Sequence, residues 1–456
     1  MARTGKNVSW NVLEVIASAA ILFVSYKIVL HYLGVSALGV WALATAITAL
    51  SRAADVGASA GTSRSVAVHS ASAEKTLAYV ETGLLINSGL YLVLGAILFA
   101  VFPYLAPLVS KGPATADLHV LMPYVIGSFV MMNVSAVTSS SLIGLYRSDL
   151  KSLITILGLA AQIIITWAFI KPLGLRALAI GQVVQYGFMA LVSWFVITKV
   201  STGRFLYRPP YRWNAVAARE LFGYGMRAQG LNLAGFLFEP TTKFAISAIC
   251  GVHALGLYEL ASRGLMQVRQ VIVTPSGNLT PLFAKASTVG NRRVARTYSR
   301  AVAALAPLSI ASMLGLIAIS PVLSIIWVGH LETDFIAMTA ILATLWSVNL
   351  MALPAYYLGL GANRLRWSIW GALATALSSP LLVIALAPVV GDYGAALGAG
   401  LAIAIGAIIT MRTPRAFGTR PVPRLRYFPK MARLLALALM RRVGLRGARL
   451  ALPQSR

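Results

Sequence analysis

The sequence predicts an all-α integral membrane protein of about twelve transmembrane helices in two six-helix bundles. Three observations carry that prediction. Of the 456 residues, 58% are hydrophobic and 11% charged, against roughly 25% charged in an ordinary soluble domain, so no water-soluble fold could hide the apolar surface. Twelve apolar runs follow one another, each long enough for the ~20 residues that cross a ~30 Å hydrocarbon core. The charge is also distributed unevenly between alternate connections.

The runs lie near residues 10–32, 37–58, 77–105, 118–145, 151–171, 176–198, 221–249, 254–280, 300–328, 335–360, 367–388 and 394–411. The first follows Arg3 and Lys6, contains Glu14 and Lys27, and lacks a small-residue cleavage site. It therefore reads as a retained helix, not a signal peptide. Runs longer than ~25 residues imply tilt, and Pro275 and Pro281 should bend or end the eighth.

With the N-terminus inside, the cytoplasmic segments collect thirty of the 39 Lys and Arg, twelve of them in the tail after residue 411. The opposite connections hold only Lys111, Lys171 and Arg176, beside Asp117, Glu332, Asp334 and Asp392. That asymmetry is the positive-inside pattern and places both termini in the cytoplasm. It also accounts for the net charge of +27 without nucleic acid as a partner.

Residues 33–44 and 250–261 match at seven of twelve positions, and the same offset aligns Arg52 with Arg269, Gly144 with Gly361, Arg147 with Arg364, and Gly174 with Gly391. One offset running from the first connection to the sixth run implies duplication. Six spans per copy preserve orientation, so the halves should be related by a pseudo-twofold axis along the membrane normal. The expected organisation is an N-terminal bundle over 1–200, a basic cytoplasmic linker over 201–220, a C-terminal bundle over 221–412, and a basic tail over 413–456. Within that tail Leu434 to Met440, flanked by Arg433, Arg441 and Arg442, reads as an interfacial amphipathic helix on the anionic leaflet.

The single Cys250 and five histidines argue against a disulfide framework and against metal chemistry. No Walker-type loop, His/Glu metal motif or nucleophile triad is found, so enzymatic catalysis is not expected and no cofactor is implied.

The chain resembles the polysaccharide repeat-unit (Wzx-like) flippases of the multidrug/oligosaccharidyl-lipid/polysaccharide exporter superfamily. The resemblance is carried by Leu33-Gly34 through Gly39-Val40-Trp41, Asp55-Val56-Gly57, Gly251 through Gly256-Leu257-Tyr258, and Tyr357 through Arg364. It implies two bundles forming a V around a cavity that opens to alternate membrane faces. It also implies a substrate, a polyprenyl-pyrophosphate-linked oligosaccharide carried across a bacterial inner membrane, and places the chain beside polysaccharide polymerases and glycosyltransferases. Where this family commonly has a seventh-span acid before an apolar segment, this chain has Glu239-Pro240 with Lys243 nearby, which leaves the coupling chemistry open.

Six cations fall inside predicted spans: Lys27, Arg52, Arg227, Lys243, Arg263 and Arg269. A charge at mid-membrane costs ~2.5–3.5 kcal/mol even on the lenient scale, so each needs a partner, a cavity or a route to the headgroups. Glu239 with Lys243, Glu259 with Arg263, and Arg52 with Asp55 are spaced to share a helix face, and such pairs read equally as structural. Arg227, near a span end, can snorkel. Lys27 and Arg269 have no acid three or four residues away and are the stronger candidates for cations facing a wet cavity. Given the resemblance, all six are candidate pyrophosphate ligands. Glu14, Asp55 and Glu239 are candidates to couple transport to H+ or Na+, or simply to balance neighbouring cations. The rival readings are a drug/cation antiporter, which should need an acidic cavity, a peptidoglycan-precursor flippase, which usually has extra spans, and a membrane glycosyltransferase or polymerase, which should show acidic catalytic residues in a large outer loop.

Overall fold

The computed structural model describes residues 2–50, 58–110, 112–205, 209–210, 212–229 and 233–419. Their regular structure is helical, with no strand among the described residues. The helices are α1 (Ala2–Leu50), α2 (Ala58–His69), α3 (Ala73–Val109), α4 (Pro113–Gly144), α5 (Ser148–Leu173), α6 (Leu175–Thr202), α7 (Ala215–Gln229), α8 (Leu233–Ser276), α9 (Leu279–Val289), α10 (Asn291–Trp327), α11 (Thr333–Met351), α12 (Leu353–Gly361), α13 (Arg366–Val390) and α14 (Asp392–Thr410). Among the described residues ten stretches are long and apolar enough to cross a membrane, with α11 and α12 together making one of them.

Two of the ten are broken by a glycine: Gly34 in α1 (φ 79°, ψ 179°) and Gly251 in α8 (φ 84°, ψ 176°). Only glycine adopts such angles without strain. In α8 the break reverses the chain. Lys243 and Glu259 would lie about 24 Å apart on a straight helix, yet their side chains meet at 2.9 Å. The near-identical angles at Gly34 give α1 the same hairpin form. The expectation of about twelve spans counts the two legs of each hairpin separately.

The duplication is written into the backbone. Every positive-φ residue from Gly112 to Gly174 has a counterpart 217 positions on: Gly112 and Gly329, Tyr146 and Asn363, Gly174 and Gly391, joining Gly34 and Gly251. Helix contacts repeat as well. A Cβ on Gly144 would lie 2.5 Å from the Ser63 carbonyl oxygen, and one on Gly361 would lie 2.5 Å from that of Thr280, so α2 against α4 and α9 against α12 are the same close packing.

The chain forms two compact units. The first comprises Met1–Ser262, Ser320–Met338 and Ala376–Ala399, and the second Arg263–Ile319, Thr339–Thr375 and Gly400–Arg456. In the first, the tips of the two hairpins pack reciprocally. A Cβ on Gly39 would overlap the Val252 carbonyl, and one on Gly256 would overlap that of Val35. The equivalent residues Ser36 and His253 meet at 3.4 Å (Oγ to Nδ1). This is the self-complementary pattern that a local twofold imposes. In the second unit, Gly371 and Gly406 bring α13 and α14 into close contact.

Residues 215–229 are helical as α7 and α8 is described from Leu233, while residues 230–232 between them lie outside the described residues. Arg219, Glu220 and Arg227 leave α7 only one apolar face. That face, through buried Ala217, Ala218 and Leu221, packs on α2 and α3. The linker before it is tied to α3, whose Glu81 Oε2 accepts from the Arg212 backbone N–H (2.9 Å) and whose Thr82 Oγ1 accepts from that of Asn214 (3.1 Å). Asn214 Oδ1 then caps α7, accepting from Val216 N and Ala217 N.

Candidate functional site

The α8 hairpin builds a buried cluster of charged side chains. Its legs are apolar enough to span, and the Gly251 turn brings residues equidistant from the tip face to face. Lys243 and Glu259 each lie eight positions from it, about 12 Å along a helix and so near mid-depth of a ~30 Å core. The Lys243 Nζ lies 2.9 Å from Glu259 Oε2 and donates to Glu239 Oε1 at 2.7 Å. Lys243 and Glu259 are shut off, with side-chain exposures of 3% and 1%, whereas Glu239 is 57% exposed. From α1, Tyr26 donates its hydroxyl to Glu259 Oε1 at 3.1 Å. Tyr258 is buried beside these carboxylates, and Thr242 shares a 2.6 Å hydroxyl contact with Ser379 of α13.

The remaining predicted residues are placed as follows. Glu14 pairs with Lys151 at the start of α5 and accepts from Ser152 Oγ at 2.6 Å, so two α5 groups hold its carboxylate. Lys27 is exposed and has no ion-pair partner among the described residues. In the second unit Arg263 is half-buried. Arg269 lies there with its guanidinium carbon 5.5 Å from the Trp346 ring centroid, and its Nε is buried with no hydrogen-bond partner among the described residues. Tyr357, which donates to the Val273 carbonyl at 3.2 Å, belongs to the same unit. Arg52, Asp55, the side chain of Arg227, and the amphipathic segment of the tail lie outside the described residues.

Of the sequence candidates, Lys243 and Glu239 are brought into contact. Glu259 and Tyr26 complete the cluster and were not among the candidate ligands. A hairpin register would have found Glu259, because it stands as far past Gly251 as Lys243 stands before it. Among the described residues no group of three or more His, Cys, Asp and Glu is arranged to hold a metal. A separate cavity of about 450 Å³, lined by apolar side chains including Leu84, Trp194 and Phe195 and by Pro209 and Pro210 of the linker, contains none of the charged candidates.

Solved structures share this architecture. The chain is similar to an inward-facing multidrug resistance MATE family transporter of the MOP superfamily, with a TM-score of 0.74 at 14% identity over 87% of this chain and 94% of that one. It is similar to the lipid II flippase MurJ in an inward closed conformation, with a TM-score of 0.68 at 16% identity over 96% and 94%. It also matches a MOP superfamily transporter from Pyrococcus furiosus, described by the reverse polarity of its binding pocket, with a TM-score of 0.59 at 15% identity over 91% and 95%. The fold is thus that of a MOP superfamily transporter, in a multi-pass membrane protein. No curated protein matches the sequence. A profile of the family described as polysaccharide biosynthesis protein matches residues 28–330, and the chain belongs to that family.

Proposed function

We propose that this protein is a flippase that carries polyprenyl-pyrophosphate-linked oligosaccharide repeat units across the bacterial inner membrane by alternating access, with both termini in the cytoplasm. The observation that carries the reading is a buried ammonium, Lys243, near mid-depth of a hairpin in a chain of the polysaccharide biosynthesis family. A cation held there by carboxylates is suited to exchange them for the anionic headgroup of a lipid-linked sugar. Arg269, with a buried guanidinium nitrogen that no described residue bonds, and exposed Lys27 are further pyrophosphate ligands in this reading. Arg52, Arg227 and Arg263 complete the proposed set. The polyprenyl tail stays in lipid while the sugar crosses with the headgroup. The similar fold of the lipid II flippase MurJ supports a lipid-borne cargo.

The test is a strain lacking the gene. It should accumulate lipid-linked oligosaccharide on the cytoplasmic leaflet and lose surface glycan, and the wild-type gene should restore export. Lys27→Gln and Arg269→Gln together should lower export at least tenfold at equal membrane abundance. Normal glycan export in the deletion strain would remove the assignment.

A further inference from the structure

All twelve acidic residues of the chain fall in the first unit. The second, Arg263–Ile319, Thr339–Thr375 and Gly400–Arg456, contains no aspartate or glutamate, so its cations have no carboxylate side chain of their own unit to pair with. At one end of this unit three of them are gathered. Gly371 and Gly406 bring α13 and α14 into backbone contact, a Cβ on either glycine falling 2.5 Å from the carbonyl oxygen of the other. Arg366 stands five residues before Gly371 and Arg412 six after Gly406, so the two arginines emerge at the same end of the helix pair.

One indole serves both. The guanidinium carbons of Arg366 and Arg412 lie 5.6 and 5.3 Å from the Trp367 ring centroid, which keeps them no more than about 11 Å apart. Arg364 joins them from the connection between α12 and α13, its guanidinium carbon 5.0 Å from the Phe417 ring centroid and its Nη1 donating to the Ala416 carbonyl at 3.3 Å. Aromatic faces and a carbonyl attract a guanidinium but bring no net charge, so the three like charges are held together without being neutralised. All three arginines are exposed. They also stand at the ends of apolar helices, Arg366 opening one membrane-crossing stretch and Arg412 lying near the close of another. Ile369 and Trp370 follow Arg366 by three and four residues and so share its face of α13, and both are exposed, at 40% and 55%. Charge at the helix end gives way to bare apolar surface one turn deeper, and a phospholipid has the same profile.

We propose that this end of α13 and α14 binds an anionic phospholipid of the bilayer, its phosphate held between Arg366 and Arg412 and an acyl chain laid along Ile369 and Trp370. Guanidinium forks match phosphate oxygens in geometry as well as in charge, and basic pockets between membrane helices take anionic headgroups in this way. Trp367 sets the depth, because an indole favours the interface where headgroups lie. Arg364 adds attraction from one side. A zwitterionic lipid would bring a cation of its own towards these three, so the preference is for a headgroup with net negative charge. None of the three arginines is among the cations assigned to the cargo, and the site does not depend on the flippase reading.

Native mass spectrometry of the full chain in detergent, with phosphatidylglycerol and phosphatidylcholine added in equal amounts, tests the site. The wild type should retain phosphatidylglycerol about tenfold more than phosphatidylcholine, and the double variant Arg366→Gln, Arg412→Gln should lose most of that preference. Lys285→Gln with Arg292→Gln, which removes the same charge from α9 and α10 of the same unit, should keep it. Photolabelling needs no variant to fold: a phosphatidylglycerol carrying a diazirine in its acyl chain should mark Ile369 or Trp370 of the wild type. Equal retention of the two lipids, equal loss in the two double variants, or labelling that misses both Ile369 and Trp370 overturns the inference. Displacement of phosphatidylglycerol by an equal concentration of farnesyl diphosphate also overturns it, since the arginines would then prefer a diphosphate headgroup to a bilayer phospholipid.

Discussion

Eight residues from its tip, the α1 hairpin carries Tyr26 on one leg and Ala42 on the other, both buried. At the same two places the α8 hairpin carries Lys243 and Glu259. Their glycine breaks differ by only a few degrees, and the tips interlock as equals. Geometry is held in common because a hairpin of two packed helices admits few backbones, while at these two places only one copy is charged. The α1 hairpin is not idle there, since its Tyr26 binds the carboxylate of α8. One copy supplies the ion pair and the other a hydroxyl to steady it.

The comparison can be broken most forcibly at the ion pair. Glu259→Ala should lower the stability of the purified protein by about 3 kcal/mol, because it takes the buried carboxylate from a buried ammonium and leaves it the exposed Glu239; the equivalent Ala42→Ser in α1 should lower it far less. Thermal melts in one detergent decide, and equal losses would mean that the two copies do not differ as described. Next come the tips. Gly39→Ala and Gly256→Ala should each cost about 1–3 kcal/mol through overlap with a backbone carbonyl, with closely similar values if the local twofold holds. The double variant should cost less than their sum, because the first separation makes room for the second.

A smaller effect sharpens the same point at the breaks. Gly34→Ala and Gly251→Ala meet open space but force positive φ on a side chain, so each should lose about 1–2 kcal/mol, detectable as matching shifts in melting temperature. The smallest effect runs the other way. Tyr146 and Asn363 both hold positive φ, and asparagine tolerates that conformation where tyrosine does not. Tyr146→Gly should therefore gain about 0.5 kcal/mol after the entropy of glycine is counted, and Asn363→Gly should change stability hardly at all.

What the sequence disclosed follows from which spacings it records. Apolar length marked the spans, and the offset relating residues 33–44 to 250–261 reappears as paired positive-φ positions. The Glu239–Lys243 contact was legible because four residues make one helical turn. Glu259 against Lys243, and Glu14 against Lys151, were not. Those contacts depend on where a chain reverses and which helices then meet, and an apolar run carries no label for its neighbour. The packing of Leu221 was not legible for a related reason: it is as hydrophobic on a helix lying against α2 and α3 as it would be in lipid.

The docking of α7 bears on how the protein could be made in two pieces. The hydrogen bonds that Glu81 and Thr82 accept from Arg212 and Asn214, and that from Tyr79 to Glu220 (2.6 Å), join residues 212–220 to α3. A gene divided at the basic linker would separate a strap from the helix it fastens to. Divided between Gln229 and Leu233, it would leave every one of those fastenings within a single polypeptide, and co-expressed fragments should reassemble best from that cut.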